Sequence, residues 1–147
     1  VTLAEVYADS SFLISLFMED GNTDAARRFI GRNPAILAFN PLHRLEVRNG
    51  LRLRVHRGDV DKPARAAALQ RIDEAILAGQ LAHVPLPWTD ALRLAEKLSS
   101  GHAEQIGSRS ADTLHVAAAL LVKARQFLSF DKRQCELAKA AGLVVKP

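Results

Sequence analysis

Cysteine is nearly absent from this chain: Cys135 is the only one among 147 residues. One thiol excludes an internal disulfide framework and any multi-cysteine zinc site. No apolar run approaches the roughly 18 residues that span a bilayer. The start shows no charged-then-apolar leader with a small-residue cleavage site, so the default expectation is a cytoplasmic protein. Internal repeats, low-complexity tracts and linker-like stretches are missing too. The single tryptophan, Trp88, follows a proline and suits a surface or interface anchor.

What remains is ordinary globular composition, 48% hydrophobic and 24% charged. The length fits one domain, residues 1–147, with enough chain for a real core. Twenty basic residues oppose 16 acidic ones, a net charge of +4. Most of the basic residues are arginine, which suits bidentate contact with phosphate. Such a balance is compatible with a nucleic-acid partner without requiring one.

The pattern along the chain alternates short apolar runs with longer amphipathic ones. Ala4–Ala8 reads as a strand, and Asp9-Ser10-Ser11 follows it at the start of a helix. Thr23–Gly31 is a short amphipathic helix. Ala35–Phe39 is an apolar five-residue run bounded by turn signals, hence a buried strand. Asn40-Pro41 opens the next helix, with proline near the first helical position. Along that helix Arg44, Arg48 and Arg52 recur every fourth residue and share one stripe. Lys62–Ala78 is a helix with Ala66, Leu69, Ile72 and Ile76 on one side, and Leu81–Leu86 is a weak strand. Thr89-Asp90 caps a helix over Ala91–Leu98, followed by a loop over His102–Ser108. Arg109–Asp112 opens a helix that is apolar nearly all round and therefore buried. Phe127–Ser129 and Leu143–Val145 are the last strands, the final one at an edge. The order β-α-α-β-α-α-β-α-α-β-α-β predicts an α/β, three-layer α/β/α fold with a central parallel sheet of about five strands.

Four acids fall near the carboxyl ends of these strands. Asp9 follows the first strand, Asp112 stands in the first turn of the buried helix, and Asp131 follows the fourth strand. Nineteen positions separate Asp112 and Asp131, about one helix plus one strand. Glu46 lies in the second turn of its helix, from where its carboxylate can lean back over the sheet. Each has a plainer reading. Asp9 can be only a helix cap, and Glu46 only an ion-pair partner on an arginine-rich helix. Together they form a pattern, because a parallel sheet gathers such positions at one edge, where α/β proteins bind ligands. Clustered carboxylates do not all ionise without a counter-charge. Hard divalent cations, Mg²⁺ or Mn²⁺, suit an all-oxygen site. A cation so held can lower the pKa of water and clamp a phosphate's charge, which points to phosphodiester hydrolysis.

At these residues the chain resembles the PIN-domain ribonucleases, and among them the VapC-like toxins of type II toxin–antitoxin pairs. The matching motifs are Ala8-Asp9-Ser10-Ser11, Leu45-Glu46-Val47, the run Arg109–Ala119 with its Asp112, and Phe127–Asp131 with the following Leu137-Ala138 and Ala141-Gly142-Leu143. They extend over nearly the whole chain. The resemblance implies that Asp9, Glu46, Asp112 and Asp131 form the acidic metal-binding quartet of a PIN fold. Ser10 and Ser129 match small polar positions beside it. It further implies Mg²⁺- or Mn²⁺-dependent endoribonuclease activity, an RNA substrate, a homodimer and a small antitoxin protein as partner. Where the family often carries Ser or Thr after the second strand, this chain has Asn40, a substitute polar contact. Arg44, Arg48 and Arg109 are candidates for holding the RNA backbone, although Arg109 can equally pair with Asp112 and order the site.

Other groups have readings of their own. His43 and Glu46 are spaced like helical di-iron ligands, but no second such pair exists. His115, one turn after Asp112, is either a proton carrier or a packed or capping histidine. A signalling receiver domain would need adjacent acids after the first strand and a late lysine, neither of which is present. DNA nucleases of this fold carry more acids and more helical elements. The remaining alternative is a non-catalytic RNA-binding module of the same fold, marked by loss of quartet acids; here all four are present.

Overall fold

Three-residue strands alternate with one or two helices throughout the computed structural model, which describes residues 5–147. The order is β1 (Val6–Ala8), α1 (Ser10–Phe17), α2 (Thr23–Arg32), β2 (Leu37–Phe39), α3 (Pro41–His56), α4 (Lys62–Leu77), β3 (Leu81–His83), α5 (Trp88–Ile106), α6 (Ser110–Leu121), β4 (Gln126–Leu128), α7 (Lys132–Ala140) and β5 (Val144–Lys146). This is the predicted order. The first strand was expected from Ala4, which lies outside the described residues.

All strand pairings among the described residues are parallel. β4 lies between β1 and β5, with Ala8 opposite Leu128 and Leu128 opposite Lys146. β2 pairs separately with β3, Phe39 opposite His83. The expected single sheet of about five strands is therefore divided into a three-stranded and a two-stranded ladder. β1 and β2 lie beside each other, but the bonds that join them come from side chains. His43 Nε2 meets the Ala8 carbonyl at 2.7 Å, and Asn40 Nδ2 donates to the Tyr7 hydroxyl at 3.0 Å. Strands this short leave room for such substitution.

Alternation along the strands divides the core between two layers. Ala8, Leu37, Phe39 and Leu128 pack with Phe12, Leu13, Val47, Leu51 and Ile72 of α1, α3 and α4. Tyr7, Ala38 and Phe127 face Ala91, Leu98, Val116–Ala119 and Leu137 of α5, α6 and α7. Burying a Leu, Val or Phe side chain contributes about 1.5–3 kcal/mol, so the two layers hold the sheet edge in place. α1 and α3 approach closely because α3 carries Gly50; a Cβ there would stand 2.7 Å from Ile14 Cδ1.

Three local expectations are corrected. α5 begins at Trp88, with Pro87 as its cap residue and Asp90 inside its first turn, so Thr89-Asp90 does not cap it. It also continues through Ser99-Ser100-Gly101 to Ile106, where a loop was expected. That triplet is exposed, so the roughly 1 kcal/mol cost of a helical glycine is outweighed by packing of the following turn. The helix stops at Gly107, whose φ of 76° is left-handed. On α4 the buried residues are Ala68, Ile72 and Ala75, while Ala66 is exposed. Ala-rich helices carry too little contrast between faces for sequence to fix the rotation.

Candidate active site

The pairing of β1 with β4 sets the two adjoining residues, Asp9 and Ser129, side by side. The Asp9 amide continues the ladder by donating to the Leu128 carbonyl at 3.0 Å. Asp9 is indeed a helix cap: its Oδ1 accepts from the Phe12 amide at 2.7 Å and from Ser11 Oγ at 2.9 Å. It is also more than a cap. Its side chain is buried, and Ser129 Oγ donates to its other oxygen, Oδ2, at 2.5 Å. Burial raises the Asp9 pKa above the usual carboxylate value, against the opposing pull of Ser129, Phe12, His115 and Ser11.

Asp131 stands two residues further on, exposed, capping α7 through Oδ1 and the Gln134 amide at 3.0 Å. Its own amide donates to Ser129 Oγ at 3.0 Å. Ser129 thus links two of the acids. Asp112, at the third position of α6, accepts weakly from the Arg109 amide at 3.4 Å. Its pKa is raised, first by burial, then by the negative charges of Asp131 and Glu46. The Arg109 side chain is exposed and makes no ion pair among the described residues. The expected pairing with Asp112 runs through the backbone instead.

Glu46 reaches the site from α3. Its Oε1 accepts from Ser10 Oγ at 2.8 Å and contacts His115 Nε2. Burial alone would raise its pKa, but the His115 contact and the Ser10 bond hold it below the usual value. His115 is buried, and its Nδ1 meets the Tyr7 hydroxyl at 2.7 Å. His43 is buried as well: Nδ1 accepts from the Asn40 amide at 3.1 Å, and Nε2 is used on Ala8. It faces away from any metal role, and burial and the neighbouring His115 push its pKa well below the usual histidine value. Asn40 caps α3, its Oδ1 accepting from the His43 amide at 3.0 Å.

Both ring nitrogens of His43 and of His115 are engaged within the protein, so the free donors beside them are oxygens. Among the described residues no hydrogen bond reaches Glu46 Oε2, Asp112 Oδ1 or Asp131 Oδ2. Nor do any three His, Cys, Asp or Glu side chains there form a closed metal-binding group. Oxygen-only donors fit a hard divalent cation in chemistry.

The arginine stripe of α3 borders this edge. Arg44, Arg48 and Arg52 line a groove of about 630 Å³ together with Pro41, Leu45 and His83. Arg48 is partly committed, its guanidinium pairing with Asp73 of α4 at 3.3 Å. Arg44 is exposed.

Tyr7 is the participant that sequence reasoning missed, and His115 was left between two roles. The signal was present: a lone tyrosine two residues before Asp9 in a strand, and a histidine directly ahead of the apolar run Val116–Leu121. Both are polar groups at buried positions, where partners are obligatory.

Comparison with known proteins follows this geometry. The PIN domain model matches residues 6–140. Among solved structures, the chain is similar to Mycobacterium tuberculosis VapC20, described as a sarcin–ricin loop cleaving toxin, at 19% identity and a TM-score of 0.69 over 97% of this chain and 100% of that one. It is similar to FitAcB from Neisseria gonorrhoeae at 15% identity and a TM-score of 0.65, over 97% and 96%. It is also similar to VapBC2 from Rickettsia felis, bound to a DNA fragment from their promoter, at 11% identity and 0.64 over 96% of each chain. At these identities the likeness is one of fold. Comparison with curated proteins gives no match. The PIN match extends over most of the sequence, and the chain belongs to the PIN domain family.

Proposed function

We propose that this chain is a metal-dependent endoribonuclease, the toxin of a toxin–antitoxin pair, acting as a single PIN domain. The reading is supported by the PIN fold and by the junction at the ends of β1 and β4, where Ser129 binds both Asp9 and Asp131, together with carboxylate oxygens of Glu46, Asp112 and Asp131 that no hydrogen bond occupies among the described residues. Asp9 and Asp112 would hold the principal Mg²⁺ or Mn²⁺ ion, and Glu46 and Asp131 would complete the set. When bound, such an ion supplies an activated water and offsets charge developing on the phosphate. The chain's own residues do the rest. Ser129 and Ser10 orient Asp9 and Glu46 by donating to them. Asn40 acts through its contacts with Tyr7 and His43. Arg44, Arg48 and Arg109 bind the RNA backbone.

A small antitoxin partner and a homodimer belong to the same reading. Support comes from exposed apolar side chains on the helices flanking the site: Leu45 of α3, and Trp88 and Leu92 of α5. A groove of about 560 Å³ between α3, α5 and α6 reaches Ser110 and Ala111, beside Asp112.

The test is cleavage of an RNA panel containing tRNAs and a sarcin–ricin loop fragment, by protein freed of any partner. Mg²⁺, Mn²⁺ and EDTA arms are run beside Asp9→Asn, which keeps an oxygen for the α1 cap. Metal-dependent cutting that the variant loses supports the proposal. Metal binding without cutting of any RNA in the panel counts against a broad nuclease. RNA binding with neither cutting nor metal affinity replaces the proposal with the non-catalytic RNA-binding module.

A further inference from the structure

One polar thread crosses the core from β2 to the site, and its hydrogen-bond polarity follows from a single backbone amide. The His43 amide must donate, and it donates to Asn40 Oδ1 at 3.0 Å. Asn40 therefore turns its NH₂ group to the Tyr7 hydroxyl, 3.0 Å away. Having accepted there, the hydroxyl gives its one hydrogen to His115 Nδ1 at 2.7 Å. Nδ1 is then the acceptor, and the ring hydrogen sits on Nε2, which faces Glu46 Oε1.

The far end of the thread requires the same arrangement independently. Glu46 Oε1 already accepts from Ser10 Oγ, and Ser10 Oγ lies 3.1 Å from His115 Nε2. A bare Nε2 would set a lone pair against a carboxylate oxygen at hydrogen-bond distance. Only a hydrogen on Nε2 makes that contact attractive.

We infer that Asn40 and Tyr7 are positioning residues: they hold His115 as an Nε2–H donor, which fixes Glu46 through Oε1 and leaves Oε2 free for the site. This rests on the metal-dependent reading above and adds to it the groups that aim one of the four carboxylates. His115 is the partner one hydrogen bond removed from Glu46, a kind of group that commonly changes metal affinity 10- to 100-fold, and Tyr7 and Asn40 act through it.

The experiment uses the full chain labelled with ¹⁵N in histidine. Two-bond ¹⁵N–¹H correlation reads which ring nitrogen of His115 carries hydrogen, the signal being assigned by its loss in His115→Gln. The expected wild-type result is a bare Nδ1 and a hydrogen on Nε2. Asn40→Asp keeps the α3 cap but exchanges the donating NH₂ for an acceptor, so the Tyr7 hydroxyl is expected to donate to the new carboxylate and a hydrogen to appear on Nδ1. A merely structural Asn40 would leave the ring nitrogens unchanged. Calorimetry with Mn²⁺ is the second readout. Tyr7→Phe is expected to bind Mn²⁺ roughly 10-fold or more weakly while keeping its far-UV circular dichroism. If Tyr7→Phe does not fold, the Asn40→Asp spectrum decides. Hydrogen on Nδ1 in the wild type overturns the inference, as does a folded Tyr7→Phe that binds Mn²⁺ like the wild type. A wild type that binds no Mn²⁺ overturns the metal-site reading, and with it the purpose assigned to the thread.

Discussion

Ser129 Oγ donates to Asp9 Oδ2 at 2.5 Å and accepts from the Asp131 amide at 3.0 Å, so one hydroxyl orders two acids 122 residues apart in the chain. Ser129→Ala is expected to cost about 1–3 kcal/mol of stability, because it leaves a buried carboxylate oxygen without its partner. Urea unfolding measures this. It should also weaken Mn²⁺ binding about 10-fold, and an unchanged affinity in calorimetry would remove Ser129 from the site.

Burial raises Asp9 and, with the charges of Asp131 and Glu46, raises Asp112 from the ordinary value of 3.8. The folded form then holds these protons more tightly than the unfolded chain. Stability without metal therefore falls as pH rises from 3.8 through the raised folded values. A divalent cation needs the ionised carboxylates and offsets their charge, so the gain in Tm on adding Mn²⁺ should grow with pH across the same window. Thermal melts with and without Mn²⁺ over a pH series test it. A gain independent of pH counts against Asp9 and Asp112 as ligands.

Asp20 is a structural counterpart away from the site. It accepts from Ser15 Oγ and the Asn22 amide, each at 2.8 Å, and from the Arg54 guanidinium at 3.1 Å. Burial works to raise its pKa, but these donors hold it below 3.8. The stabilisation they provide is complete above 3.8 and is lost as pH falls through the depressed folded value. Asp20→Ala should cost about 1–3 kcal/mol near neutral pH. The gap from wild type should narrow on acidification below 3.8, as read by urea unfolding at several pH values.

Among the described residues Arg44 makes no ion pair, whereas Arg48 is tied to Asp73. Arg44→Gln is therefore the cleaner test of the groove as an RNA-binding surface. It should weaken binding of a non-cleavable RNA and lower the slope of log affinity against log salt by about 0.7, one phosphate contact on a single strand. Fluorescence anisotropy across a salt series gives that slope, and an unchanged slope places the RNA elsewhere.

Much of the fold was legible in the sequence because its signals are local. Asn40-Pro41, Asp61 ahead of Lys62-Pro63, and Gly142 mark where helices start and stop. The apolar run through α6 marks a buried helix. One local cue misled because tertiary packing overrode it. The triplet Ser99-Ser100-Gly101 looks like a stop, yet α5 passes through it because the residues beyond find a core to pack against.

The sequence by itself determined where the four acids stand along their elements: Asp9 and Asp131 just past strands, Asp112 in the first turn of its helix and Glu46 in the second turn of its own. Tertiary structure alone decided how they are held. The split between the β1 and β2 ladders opens space that Tyr7, Asn40 and His43 fill with side-chain bonds. The meeting of His115 with Glu46 joins residues 69 apart. Hydrogen bonds of that kind have no sequence period, because they depend on where two helices from opposite layers come to rest.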